Sequence, residues 1–244
     1  LSNHSFSNVI DIQEWATCLS KVLKEDGYLV LQTFYQKSVL ENFLIENYNH
    51  EHLSYVFIDP ISSFFEKYGL KLRKCRFLSA KGGSIRLFFQ KSNQSRELDS
   101  LSKELLEKER VYFENINQNF SNTKNYITET KENLNQIFNN YSDEISAYGT
   151  SIGASVFTYQ FGLTDKIKTF FDDDPLRQNR FSPGIGALVQ KGRSPEMNNF
   201  SHCLLFAPLY SKQIVRANSE FTENGGSFIT IRPKVSIIKS FSDL

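Results

Sequence analysis

Residues 28–34 read Tyr28-Leu29-Val30-Leu31-Gln32-Thr33-Phe34, a nearly continuous apolar run. Such a run suits a strand buried on both faces, as in a parallel sheet. Upstream, Ile12, Trp15, Ala16, Leu19, Val22 and Leu23 recur at helical spacing. They predict a helix over 11–24, with Asp11 as N-cap and Gly27 as a stop. Downstream, residues 36–46 predict a short helix and residues 48–55 a polar loop. Asp59-Pro60 predicts a helix start, with Asp as N-cap and Pro at the first helical position, and Gly69 ends that helix. Residues 70–78 and 84–90 predict two strands. The short Ala80-Lys81-Gly82-Gly83 connection makes them an antiparallel pair.

Further on the texture changes twice. From Ser95 to Tyr141 the chain is polar and Asn-rich, with Leu98, Leu101, Leu105, Tyr112, Leu134 and Ile137 at helical steps. This predicts helices with a narrow apolar stripe, weakest over 117–126, joining two domains. From Glu144 strands and helices alternate. Strands are expected at 145–148, 169–171, 203–207 and 227–231, and helices at 154–161 and 211–223. That order predicts a second α/β unit with a mostly parallel sheet.

The chain has 244 residues, 40% hydrophobic, 23% charged and 14% aromatic. That is a globular composition. A net charge of +1 weighs against a protein that grips nucleic acid, so no such partner is expected. No apolar run approaches the roughly 20 residues that span a bilayer, so no membrane partner is expected either. Cys18, Cys75 and Cys203 are odd in number and far apart. They read as reduced thiols of a cytoplasmic protein. The chain begins at Leu1 in mid-pattern, and the expectation is that an amino-terminal portion precedes it.

Two of the four histidines fall in His50-Glu51-His52. In an open parallel sheet the loops after strands form the ligand-binding edge. If Leu1 to His4 ends another parallel strand, Asn3 and His4 open onto that same edge. Histidine suits proton abstraction near neutral pH, and a neighbouring carboxylate can orient it. Ordinary polar loop residues or a metal pair on an extended segment are the open alternatives. The Gly149–Gly153 turn could hold a phosphate at a helix start or be a plain strand-to-helix turn. Arg177 and Arg180 could reach a diphosphate or be solvated. The run Asp172 to Asp174 could bind a divalent metal.

The ordered set Asn49-His50-Glu51-His52-Leu53-Ser54-Tyr55, Gly82-Gly83-Ser84-Ile85-Arg86, Tyr148-Gly149 with Gly153, the run Asp174 to Gly184, and Gly225-Gly226-Ser227-Phe228-Ile229 resembles the S-adenosylmethionine-dependent sugar C-methyltransferases. These methylate carbon 3 of nucleotide-linked 4-keto-deoxysugars. The resemblance implies an α/β fold in three parts. Residues 1–92 would be the latter half of a class I (Rossmann-like) methyltransferase sheet with an antiparallel terminal hairpin. Residues 93–141 would be a helical connector, and 142–244 a second Rossmann-like α/β domain. It implies S-adenosylmethionine as cofactor, with zinc only in a preceding amino-terminal domain. Asn3 and His4 would touch the cofactor. His52 would be the base, with Glu51 as its orienting partner and His50 and Tyr55 beside them. Ser84, Arg86, Arg177, Arg180, Gly149 and Gly153 would contact the nucleotide sugar. The oligomeric state is not readable.

The chain departs from the family pattern at four places. Asn49 stands for a tyrosine, Ser7-Asn8-Val9 for Ala-His-Val, Ile152-Gly153-Ala154 for Lys-Gly-Asn, and Pro208-Leu209 for Trp-Asn. No Gly-x-Gly-x-x-Gly occurs. Two rival functions follow: a sugar-nucleotide binding or assembly module without catalysis, and a hydrolase or epimerase on a similar scaffold.

Overall fold

The computed structural model describes residues 1–92, 94, 97–140 and 145–243, which form two compact units. One comprises residues 1–44 and 50–121, the other 45–49 and 122–244. This division differs from the three segments expected. The expected borders at Asn93 and at Tyr141 and Ser142, like Ser95 and Glu144, lie outside the described residues. The connector's helices are shared out, and the first unit ends inside one of them.

In the first unit the elements are β1 (Ser2–Asn3), α1 (Ile12–Val22), β2 (Tyr28–Phe34), α2 (Gln36–Glu41), α3 (Ile58–Glu66), β3 (Leu70–Leu78), β4 (Ser84–Lys91) and α4 (Ser100–Glu114). The sheet runs β1-β2-β4-β3. β1 pairs parallel with β2, setting Asn3 beside Gln32. β4 pairs antiparallel with both β2 and β3. The buried run of β2 thus lies between one parallel neighbour, β1, and one antiparallel neighbour, β4 of the hairpin. Leu29, Leu31, Leu87 and Phe89 form one face of the sheet and pack with Trp15, Leu19 and Phe65 from α1 and α3. On the alternate face Val30, Gln32, Arg86 and Phe88 border an open hollow of about 270 Å³ with Leu1 and Asn3.

Helix starts follow local chemistry in one case and distant chemistry in another. Asp11 caps α1, accepting the N–H groups of Gln13 and Glu14 at 2.9 Å. Asp59 does not cap α3. The helix begins at Ile58, two residues before the expected start, so Pro60 is its third residue, and the carboxylate of Glu109 on α4, 1% exposed, takes the N–H groups of Ile58 at 2.7 Å and Asp59 at 2.9 Å. The expected weakness over 117–126 is absent: α5 runs unbroken through Ile116–Asn140, and the chain breaks at Asn115. Tyr126, Leu134 and Phe138 are buried along α5, and Tyr126 donates to the carbonyl of Ile231 at 2.7 Å. Packing of that stripe outweighs poor helix propensity.

The second unit adds β5 (Ile145–Tyr148), α6 (Ile152–Phe161), β6 (Ile167–Asp172), β7 (Arg180–Phe181), β8 (Leu188–Lys191), β9 (His202–Leu205), α7 (Ser211–Ala217), α8 (Ser219–Glu223), β10 (Ser227–Thr230) and β11 (Ser236–Ile238). The order is β11-β10-β9-β5-β6-β8-β7. β10, β9, β5, β6 and β8 are parallel, and the two edges are antiparallel. The helix expected over 211–223 is split at Asn218, whose amide donates to Ile214 and whose oxygen accepts the N–H of Arg193. Residues 45–47 form a 3₁₀ turn against α6. Glu46 there makes a two-bond ion pair with Arg232, at 2.7 and 2.8 Å. A side chain on Gly153 would meet Glu46 Cβ at 2.8 Å, so the close approach requires glycine.

Candidate functional site

The carboxyl ends of β1 and β2 bring three aromatic rings together. His4 follows β1 directly, with φ 52°, and its N–H continues the ladder to Gln32 at 2.7 Å. The His4 ring meets Phe34, the last residue of β2, at 4.9 Å between centroids. The ring of His52 meets the same Phe34 at 4.9 Å. The loop carrying His52 is held on its downstream side by Leu53 and Ser54 N–H groups, both donated to the carbonyl of Ser7 at 2.7 and 3.2 Å. Further along, Tyr35 bridges Val56, and Gln36 N–H donates to Val56. Burial first, and then the charges of Lys81 and His52, push the His4 pKa down. A neutral imidazole can accept a proton.

From this rim a polar chain leads into the sheet. Gln32 lies 3.4 Å from His4 Nε2. Its side-chain oxygen accepts two hydrogen bonds from Arg86, at 2.8 and 2.6 Å. Arg86 is therefore held in place beside the hollow that Asn3 also borders. Ser84 is buried and donates to the carbonyl of Ala80, inside the hairpin turn. His50 and Glu51 are exposed, while His52 is half-buried. Tyr55 is 40% exposed, and burial of its ring pushes the phenol pKa up. The structure thus gathers His4 and His52, with Arg86 linked through Gln32. Phe34 and Gln32 were missed, because as sequence they are members of a buried strand and nothing more.

In the second unit, chain order reverses between the neighbours β5 and β9. The loops after such strands flank a switch point. Gly149 ends β5 at φ 99°, and a Cβ there would lie 3.1 Å from Ala207 Cβ. Thr150 donates both its N–H, at 2.8 Å, and its hydroxyl, at 2.6 Å, to Asp172 Oδ2. Burial pushes the Asp172 pKa up, but the bonds from Thr150 and Asp174 and the charge of Arg177 outweigh it and hold the carboxyl below its ordinary range. Arg177 pairs with Asp172 at 3.2 Å and Asp174 at 3.3 Å. Arg193 pairs with Asp173 at 3.0 Å. Arg180 is exposed on β7. The expected phosphate turn therefore carries an internal carboxylate on its Thr150 N–H.

Among the described residues no group of three or more His, Cys, Asp or Glu could hold a metal ion. No helix among them is long and apolar enough to cross a membrane. The three cysteines are free thiols; Cys75 and Cys203 are buried, and burial pushes the Cys203 thiol up to about 12.

A family model described as C-methyltransferase C-terminal domain matches residues 79–233. The chain belongs to this family. The matched C-methyltransferase domain opens just before the β3–β4 turn and takes in Ser84, Arg86, the Gly149–Gly153 turn and both arginines of the 177–180 loop. The chain is also 25% identical over 244 residues to the C-methyltransferase NovU of Streptomyces niveus. The similarity covers 98% of this chain and 58% of that relative, so the chain spans little more than half the relative's length.

Proposed function

We propose that this chain belongs to an S-adenosylmethionine-dependent enzyme that methylates a ring carbon of a nucleotide-linked keto-deoxysugar. In this reading the first unit is the latter half of a class I methyltransferase sheet. Its order, with one antiparallel strand inserted beside a parallel pair, supports that. The second unit is a Rossmann-like domain, supported by its parallel centre and the reversal at β5. The observation that carries the reading is the meeting of His4 and His52 on Phe34 at the carboxyl end of two parallel strands.

His52 acts as the base. It takes the proton from the carbon beside the keto group, and the C–H electron pair moves onto the keto oxygen as an enolate. Positioning supplies much of the acceleration, since a fixed base beside an acidic C–H replaces a bimolecular encounter. Glu51 orients the imidazole, and His50 and Tyr55 border the sugar. S-adenosylmethionine, when bound, supplies the methyl group, its carbon–sulfur pair staying with sulfur as the new carbon–carbon bond forms. Asn3 and His4 would hold part of it. An amide and a neutral imidazole at the end of β1 fit such polar contacts, while the sequence contains no glycine-rich cradle for the rest. Arg86, with Ser84 below it, faces the sugar side. In the second unit Arg180 is exposed and is the candidate for the diphosphate, with Arg177 already paired to Asp172 and Asp174. Gly149 and Gly153 are the proposed nucleotide contacts of their own turn.

The test is incubation of the full-length protein with labelled S-adenosylmethionine and a 4-keto-deoxysugar nucleotide. Label on the sugar carbon is the expected result. Binding of the nucleotide sugar without turnover would support the non-catalytic module instead. Sugar turnover without label would point to a hydrolase or epimerase.

A further inference from the structure

We propose that Lys81 is the cation that holds the enolate oxygen in this reaction. The inference rests on the methyl-transfer reading and adds a residue to it.

Lys81 sits at the tip of the β3–β4 turn. Its backbone is left-handed, φ 54° and ψ 32°, and it leads into Gly82 at φ 81° and Gly83 at φ 137°. Only glycine takes such angles without strain, so the lysine is held there against its own preference. The turn is pressed against the end of β2. The N–H of Tyr35 donates to the carbonyl of Gly83 at 3.2 Å. A Cβ on Gly83 would lie 2.4 Å from Ser38 Cβ. The tip is therefore fixed in place, and Lys81 Nζ lies 5.5 Å from the centroid of Phe34.

Phe34 is the ring that both His4 and His52 touch. Three groups of the rim thus converge on one side chain: two imidazoles and an ammonium. Two cations of the neighbouring elements β4 and α2 are engaged. Arg86 is bonded to Gln32, and Lys37 is paired with Glu41. Among the described residues no carboxylate lies within ion-pair distance of Lys81. Its charge reaches His4, whose pKa it helps to depress.

Removing a proton next to a ketone puts negative charge on the oxygen. A fixed cation aimed at that oxygen stabilises the charge only as it forms, which is what accelerates the step. Lys81 meets that need within reach of His52. The proton goes to His52, the electron pair rests on the oxygen beside Lys81, and it returns to the carbon when the new bond forms.

The test compares Lys81→Met, Lys81→Arg and Lys81→Gly in the full-length protein. Lys81→Met is expected to slow methyl transfer by about 10²–10³-fold, the range seen when one oxyanion-stabilising group is lost. Lys81→Arg should keep most of the rate. Lys81→Gly suits the left-handed backbone and should fold at least as well, yet be as slow as Lys81→Met. In parallel, the His4 imidazole titration by NMR should move up in Lys81→Met. Wild-type transfer rates in Lys81→Met or Lys81→Gly would overturn the role. An unmoved His4 titration would overturn the placement. Wild-type protein that transfers no methyl would overturn the reaction itself, a result distinct from either.

Discussion

His4 and His52 are 48 positions apart in the chain, yet each imidazole packs against the ring of Phe34 with centroids 4.9 Å apart. β1 delivers the first and the loop ahead of α3 delivers the second. Replacing His52 with Gln should slow the methyl-transfer step by about 10²–10⁴-fold, the usual contribution of a positioned base. Binding of S-adenosylmethionine should change little. Single-turnover kinetics beside a binding titration would show it. A near-normal rate would remove His52 from the role of base.

The depressed pKa of His4 gives a pH dependence of stability. Burial, then Lys81 and His52, hold the folded-state value below the ordinary 6.5. As pH falls, the unfolded chain takes up this proton first. The stability from a neutral His4 is therefore complete above 6.5 and is lost as pH falls from there toward the lower folded value. Urea midpoints taken across that window should decline more steeply in the native chain than in His4→Gln. Equal slopes would show that His4 does not titrate this way.

Glu109 offers a test of stability. Its replacement by Ala leaves the N–H of buried Ile58 without its acceptor, while Asp59, which is exposed, can turn to water. The expected cost is about 1–3 kcal/mol for the one group so stranded. Hydrogen exchange at those two amides should rise before global unfolding does. Protection equal to that of the native chain would mean that another acceptor replaces the carboxylate.

In the second unit, Arg232→Met should be severe. The Arg232 side chain is 8% exposed and its partner Glu46 20%. Breaking a buried pair from one side costs about 3–5 kcal/mol because a charge is left unpaired. The double change Glu46→Leu with Arg232→Met should be milder than Arg232→Met alone. Thermal unfolding of the three chains would measure the coupling.

Gly153→Ala adds a methyl where Glu46 Cβ already stands at 2.8 Å. Overpacking of this kind costs about 1–3 kcal/mol. A crystal structure of the variant should show residues 45–47 displaced, and an unchanged structure with native stability would contradict the tight fit.

What the sequence made legible was whatever its local pattern controls. The hairpin was visible because Lys81-Gly82-Gly83 separates two apolar runs, and the pairing Phe77 with Ile85 follows from it. That Leu1 to His4 ends a parallel strand was a supposition from which the shared edge followed, and Ser2 and Asn3 do pair parallel with Leu31 and Gln32. The second sheet's parallel centre followed from alternation alone. The failures share a cause. The cap of α3, the anchoring of α5 and the ion pair of Glu46 with Arg232 all depend on partners supplied from 50 to 186 residues away. Such partners leave no local spacing to read. For the same reason Asp59-Pro60 looked like a complete helix start when the acceptor was elsewhere. The rim site was half legible: His52 stood out by residue type, whereas Phe34 gained its role only from where β2 ends.

Because the first turn of α3 is completed by a carboxylate 50 residues downstream, a chain emerging from the ribosome meets a delay. At roughly 5–20 residues per second, several seconds separate the synthesis of Asp59 from that of Glu109. During that interval the segment bearing His52 borders an unfinished helix. Its final shape is therefore a late product of synthesis, set only once α4 has been made.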